Sequence, residues 1–290
     1  MTDFVGHLMP GVILFFCGLY YALLTSLAIL REQRLLILPL PPRDKRPQGW
    51  LQQLPIQGLL KILVCIPGIL GAFFYPVGTN RLAIIDWEDP ERRFLHQNTW
   101  QHVTIYSFLF LSGMVDIVSR SWLARQQMKL EQAALALAFQ GSALIFISHT
   151  EGKSALEVHC HNLLVIPVML TALVLTIELW FPDQPELWVF KTWMFLLFGS
   201  WCAQVGSILF YPITGHPWKA DKPEEIMYLT TFFCWHLILD ALVIAGIYGL
   251  CSLWIHRYSP QQVAKSGRYQ LCPTDPMTEE LKKLMKDGTI

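Results

Sequence analysis

Nine histidines punctuate this 290-residue chain. Histidine is the commonest metal ligand and the side chain that titrates nearest neutral pH. Three groups of them stand at spacings that could do chemistry. In Phe233-Cys234-Trp235-His236, the histidine precedes Asp240 by one helical turn. Residues four apart share a helix face, so His236 and Asp240 could ligate one metal, or the carboxylate could orient the imidazole as a general base. A second group, Glu157-x-His159-x-His161, reads as a short loop after Ser148; its His-x-His spacing is compatible with strand or loop ligation but is no zinc signature. The third, Gln101-His102 with Tyr106 one turn on, opens an apolar run. Zinc takes three or four N, O or S donors at about 2.0–2.3 Å. The candidate metal ligands are therefore His102, His159, His161 and His236, and zinc is the candidate cofactor. His236, Asp240 and Glu157 are the candidate catalytic groups if bound zinc activates water. The sequence lacks the H-E-x-x-H helix, the G-x-S-x-G elbow and any glycine-rich phosphate loop.

The elements that must position these residues are membrane helices. Hydrophobic residues make up 53% of the chain and charged residues 15%, against roughly a quarter charged in soluble domains. The apolar residues fall into seven runs, each near the ~20 residues that cross a bilayer. They are Leu8–Leu30, Ile56–Val77, Gln101–Val118, Glu131–Ser148, Asn162–Phe181, Leu187–Tyr211 and Ile226–Trp254. The expected architecture is an all-α polytopic integral membrane protein with a seven-helix transmembrane bundle over residues 1–255. Residues 256–290 form a tail in which Pro276–Met285 suits a short amphipathic helix, with Asp275 as cap. No basic segment precedes the first run and Arg31 and Arg34 follow it, the pattern of an uncleaved helix. Seven cysteines show no paired spacing and predict no disulfide framework.

Lysine and arginine concentrate in cytoplasmic loops. With seven spans, the odd-numbered loops and the tail carry fourteen, and the other side carries six. The expectation is a cytosolic C-terminus and a lumenal or extracellular N-terminus, in the secretory pathway or plasma membrane. His7, His96, His102, His149, His159, His161 and His216 then lie at or beyond the outer face, with His236 about three turns inside it. Asp116, Glu178 and Gln204 fall within spans, where lipid cannot solvate them. They are read as polar pairs that lock helices together, with Lys61 able to neutralise one acid. The partner is the lipid bilayer; no basic stripe suggests nucleic acid.

At these residues the chain resembles the transmembrane protein 45 family, which includes the transmembrane epididymal proteins. The likeness runs from Phe4 to Trp254. It rests on Phe4-x-Gly6-His7-x-x-Pro10-Gly11, Trp100-Gln101-His102, Gly113-x-x-Asp116, His149, Glu157-x-His159-x-His161, Glu178 and Phe233-Cys234-Trp235-His236. Glu151 and Glu157 depart from the histidine-richer loop of the members it most resembles. The resemblance implies a multi-pass membrane protein and brings no settled activity. The expected function is a non-catalytic trafficking, scaffold or pH-sensing role. The alternative is a lumen-facing, metal-dependent hydrolase of a lipid amide or ester; a carrier lined by Asp116, Glu178 and Gln204 is a third reading.

Overall fold

The computed structural model describes residues 4–31, 55–123, 127–150, 152–213 and 215–258. Seven helices account for most of them: α1 (Phe4–Leu30), α2 (Ile56–Phe74), α3 (Gln97–Ser121), α4 (Met128–Ser148), α5 (Ala155–Ile177), α6 (Pro185–Phe210) and α7 (Pro223–Tyr258). All seven are long and apolar enough to cross a membrane. The chain is an all-α, seven-helix membrane protein. The tail helix expected at Pro276–Met285, and Glu151, lie outside the described residues.

Apolar run length located every helix, but α5 starts seven residues before the expected Asn162. The reason is a capping box. The Ser154 hydroxyl accepts from the Glu157 N–H, and the Glu157 carboxylate accepts from the Ser154 N–H. Two of the first-turn donors that a helix leaves unsatisfied are thereby paired. The loop expected to carry His159 and His161 is therefore helix. Two residues along a helix is about 200° of rotation, so the two imidazoles leave on nearly opposite faces.

The helices α2, α3, α4, α5, α6 and α1 pack in that order as an open arc, and α7 lies across α1, α6 and α5. Among these, α5 and α6 are the most deeply enclosed. Trp201, Leu164, Leu196, Leu197 and Val205 are almost wholly buried on them. Lipid tails are as apolar as leucine, so helix association depends on close van der Waals contact and on polar bonds. Both are visible. Antiparallel α1 and α6 meet through small residues: a Cβ added at Gly11 would lie 2.6 Å from the Ala203 nitrogen, and one at Gly199 would overlap the Phe15 nitrogen. Between α2 and α3, a Cβ at Gly58 would fall 2.6 Å from the Gly113 carbonyl oxygen.

Gly199→Leu should lower the thermal midpoint of the detergent-purified protein by roughly 5–10 °C through overpacking. Gly246→Leu on α7, where an added Cβ meets nothing within 4 Å, should change it little. Equal effects of the two would contradict close α1–α6 packing.

Candidate functional site

Four histidines from four helices converge at one end of the bundle. His7 sits one turn into α1, His102 near the start of α3, His149 directly after α4, and His161 in the second turn of α5. Ring centroids are 5.0 Å apart for His102–His149, 5.3 Å for His149–His161 and 5.7 Å for His7–His161. The row thus runs His102, His149, His161, His7. His7, His149 and His161 are buried.

Three of these rings are held the same way. His102 Nδ1 lies 2.7 Å from the Asn98 carbonyl oxygen, and His161 Nδ1 lies 2.7 Å from the Glu157 carbonyl oxygen. His149 Nδ1 lies 2.6 Å from Gln101 Oε1, while the same amide donates through Nε2 to Ser148 Oγ at 3.2 Å. A carbonyl oxygen only accepts, so each Nδ1 donates and carries the proton. Each Nε2 is left with its lone pair. Burial, reinforced by His102, Lys153, His161 and His7, pushes the His149 imidazole down to about 3. Among the described residues, no three His, Cys, Asp or Glu side chains stand close enough together to hold a metal ion.

The structure therefore brings His102 and His161 into one row, through His149, and takes His159 and His236 elsewhere. His159 Nε2 lies 2.8 Å from Thr230 Oγ1 and ties α5 to α7. His236 Nδ1 lies 3.0 Å from Ser200 Oγ, and Ser200 donates to Asp240 Oδ2 at 2.9 Å. His236 and Asp240 share a face of α7 as their spacing requires, but Ser200 of α6 stands between them. The histidine is at the end of this chain and the serine in the middle, so the serine proton points to the carboxylate. Nucleophile activation needs the reverse order, with the imidazole between the other two. Glu157 spends its carboxylate on the Ser154 cap.

At the opposite end, two ion pairs, one part-buried and one buried, join helices. Lys61 donates to Asp116 at 2.7 Å and to Ser112 at 2.9 Å, linking α2 to α3. Lys191 donates to both oxygens of Glu178, at 2.8 and 2.7 Å, and Gln132 adds a bond at 2.9 Å, linking α6, α5 and α4. Gln204 is half-buried on α6, one turn after Ser200.

Several partners escaped sequence reasoning. Lys191 carried a legible signal, a lone cation inside an apolar run. Ser154-x-x-Glu157 is a capping-box pattern that would have moved the start of α5. His7 and His149 belonged to the histidine rim but not to the ligand set. Nothing in the sequence marked Gln101 as the His149 partner or Ser200 as the bridge to Asp240.

Comparison with known proteins places the chain in context. Residues 128–249 match a family described as a family of unknown function (DUF716). Transmembrane epididymal protein 1A of Mus musculus is 37% identical over 260 residues, covering 90% of this chain and 84% of its own length. Transmembrane epididymal protein 1 of Rattus norvegicus is 39% identical over 257 residues, 89% and 83% of the two chains. Its Homo sapiens counterpart is 36% identical over 219 residues, 76% and 79%.

Removing one partner of a buried ion pair costs about 3–5 kcal/mol, because the other charge is left unsolvated. Lys191→Met should therefore destabilise strongly, and Lys191→Met/Glu178→Gln should recover most of the loss in thermal unfolding. A double variant no better than the single would rule out the pair as the lock.

His149 also gives stability a pH dependence. An unfolded histidine titrates near 6.5 and the folded group near 3, so between these values the unfolded state binds more protons. Its stabilising contribution is complete above pH 6.5 and is lost as pH falls toward 3. The thermal midpoint should drop between pH 7 and pH 4, and His149→Gln should flatten that drop. An unchanged slope would show that His149 is not the group responsible.

Proposed function

The chain belongs to the transmembrane epididymal protein family, and on that premise we propose that it is a non-catalytic membrane protein whose histidine cluster binds a transition-metal cation. The observation that carries this reading is the common posture of His102, His149 and His161, with Nδ1–H on an oxygen and Nε2 unprotonated. Metal-bound histidines characteristically donate their other ring N–H to a carbonyl or carboxylate, which fixes the tautomer. The spacing of neighbouring rings along the row, 5.0 and 5.3 Å, suits a shared ion as well. Two imidazoles on a tetrahedral ion with metal–nitrogen bonds near 2.0 Å have ring centres about 5 Å apart. Binding by His102, His149 and His161 would draw their Nε2 atoms inward by side-chain rotation. An all-imidazole site suits Zn²⁺ or Cu²⁺.

A pH-sensing role draws less support, since burial keeps His149 uncharged across the range from pH 5 to 8. The lipid amide or ester hydrolase also draws less. Glu157 closes a helix cap, and His236 and Asp240 bond to Ser200 at a different interface. A scaffold or trafficking role that responds to metal fits the geometry better than either. The lysine and arginine distribution supports a lumenal or extracellular histidine end and a cytosolic C-terminus, in the secretory pathway or plasma membrane.

Metal content by mass spectrometry tests this after purified protein is equilibrated with Zn²⁺ or Cu²⁺ and desalted. Wild type should retain about one ion per chain. His149→Ala and His161→Ala should lose it while keeping their gel-filtration profile, and His236→Ala should retain it. An empty wild-type protein, or full occupancy in both cluster variants, would end the metal reading.

A further inference from the structure

A cavity of about 90 Å³, lined by both charged and apolar side chains, lies at the end of the bundle opposite the histidines. Its wall includes Tyr21 of α1, Lys61 of α2, Asp116 and Arg120 of α3, Glu131 of α4 and Lys191 of α6. We propose that this cavity binds the headgroup of an aminophospholipid, a zwitterion carrying a phosphate and a primary ammonium.

The route of access favours a lipid. Among the described helices, α2 packs closely on α3 alone, whereas α1 closes onto α6 and α7. Among the described residues the arc is therefore open between α2 and α1, and the cavity spans that opening: Lys61 stands on one side, Tyr21 and Lys191 on the other. An opening in the side of a bundle faces the membrane. The depth agrees. Lys61 lies five residues into α2, Lys191 six into α6, and Asp116 five before the end of α3. At 1.5 Å per residue these are about 8–9 Å from the helix ends. The helices of Asp116 and Lys191, 25 and 26 residues long, overreach a hydrocarbon core of roughly 30 Å by a few ångströms at each end, whereas the 19-residue α2 of Lys61 about matches it. Asp116 and Lys191 thus sit just beneath the boundary between headgroups and acyl chains.

The donors and acceptors select the headgroup. An ammonium has three N–H donors. Lys61 uses two, on Ser112 and Asp116, and Lys191 uses two, on the Glu178 carboxylate. Each keeps a third for a phosphate oxygen. Asp116 accepts from Lys61 through Oδ2, which leaves Oδ1 to accept from a ligand ammonium. Counting Glu178 behind Lys191, three cations (Lys61, Arg120, Lys191) face three carboxylates (Asp116, Glu131, Glu178). Uncompensated charge is costly away from water, so a headgroup of zero net charge enters this balanced wall more readily than an anionic one. A trimethylated ammonium has no N–H to donate to Asp116, which favours ethanolamine over choline.

Native mass spectrometry of the full chain in detergent, with one lipid added at a time, reads the preference directly. Phosphatidylethanolamine adducts should exceed those of phosphatidylglycerol at least tenfold and those of phosphatidylcholine several-fold. Tyr21→Phe, which removes one hydroxyl from the wall, should cut the phosphatidylethanolamine adduct at least threefold. Lys191→Met/Glu178→Gln, which removes both charges together, should cut it at least tenfold. Both variants should keep the wild-type gel-filtration profile and metal content, so failure of the lipid site and failure of the metal site are read separately. Equal retention of the three lipids would overturn the proposal, as would wild-type retention in both variants. Binding of soluble phosphoethanolamine with no lipid adduct would also overturn it, in favour of an aqueous zwitterion.

Discussion

The close approach of α1 to α6 is the constraint on which both polar ends of the bundle depend. In a bilayer no hydrophobic force distinguishes a neighbouring helix from lipid, so two helices hold together only where their backbones come near enough for dense contact. Gly11, Gly18 and Gly199 supply that nearness, with neighbouring atoms standing where a Cβ would be. The consequence reaches along the whole seam. At one end Gly206 lies against the His7 side chain, and the Cys202 thiol donates to the His7 carbonyl oxygen. At the other, Gly18 seats against Leu196, and Tyr21 packs on Phe195 with ring centroids 5.4 Å apart. One seam of small residues thus delivers α1's contribution to the histidine row and its contribution to the cavity.

Polar bonds do the rest of the assembly, and they divide by position. Toward the cavity end, the Lys61–Asp116 and Lys191–Glu178 pairs clamp α2 to α3 and α5 to α6. Through the middle, α7 is fastened by directional contacts as well as by apolar burial. His159 meets Thr230, Trp193 donates to the Leu237 carbonyl oxygen, and Ser200 holds both His236 and Asp240. Trp201 stands at the centre of this region, fully buried. Its N–H reaches the Cys160 carbonyl oxygen of α5 while its ring packs edge-on against Phe233 and His236 of α7. His236 is thereby drawn into the joint between α6 and α7. That is a structural occupation for the residue whose isolation in an apolar span made it the most prominent functional candidate.

The histidine row and the charged cavity are separated by packed aromatic and aliphatic side chains. Phe139 contacts Phe195 and Phe198, and Phe198 contacts Phe146. About 20 Å of helix lies between His161 and Leu175 at the cavity wall.

The number of spans, the all-α class and the gathering of histidines at one end were legible in the sequence. Each follows from a local property, the length of an apolar run and the position of a residue relative to its ends. Asp116 and Glu178 were legible as residues needing partners, because a carboxylate in lipid must be compensated wherever it lies. Which histidines meet was decided only by the tertiary structure. His102 and His149 are 47 residues apart and come together through the packing of α3 on α4. His159 and His161 are two apart and separate, because a cap at Ser154 turned their loop into helix. Convergence depends on the rotation of each helix about its axis and on how closely its neighbours approach. Those are set by remote glycines and caps, which no spacing between histidines records.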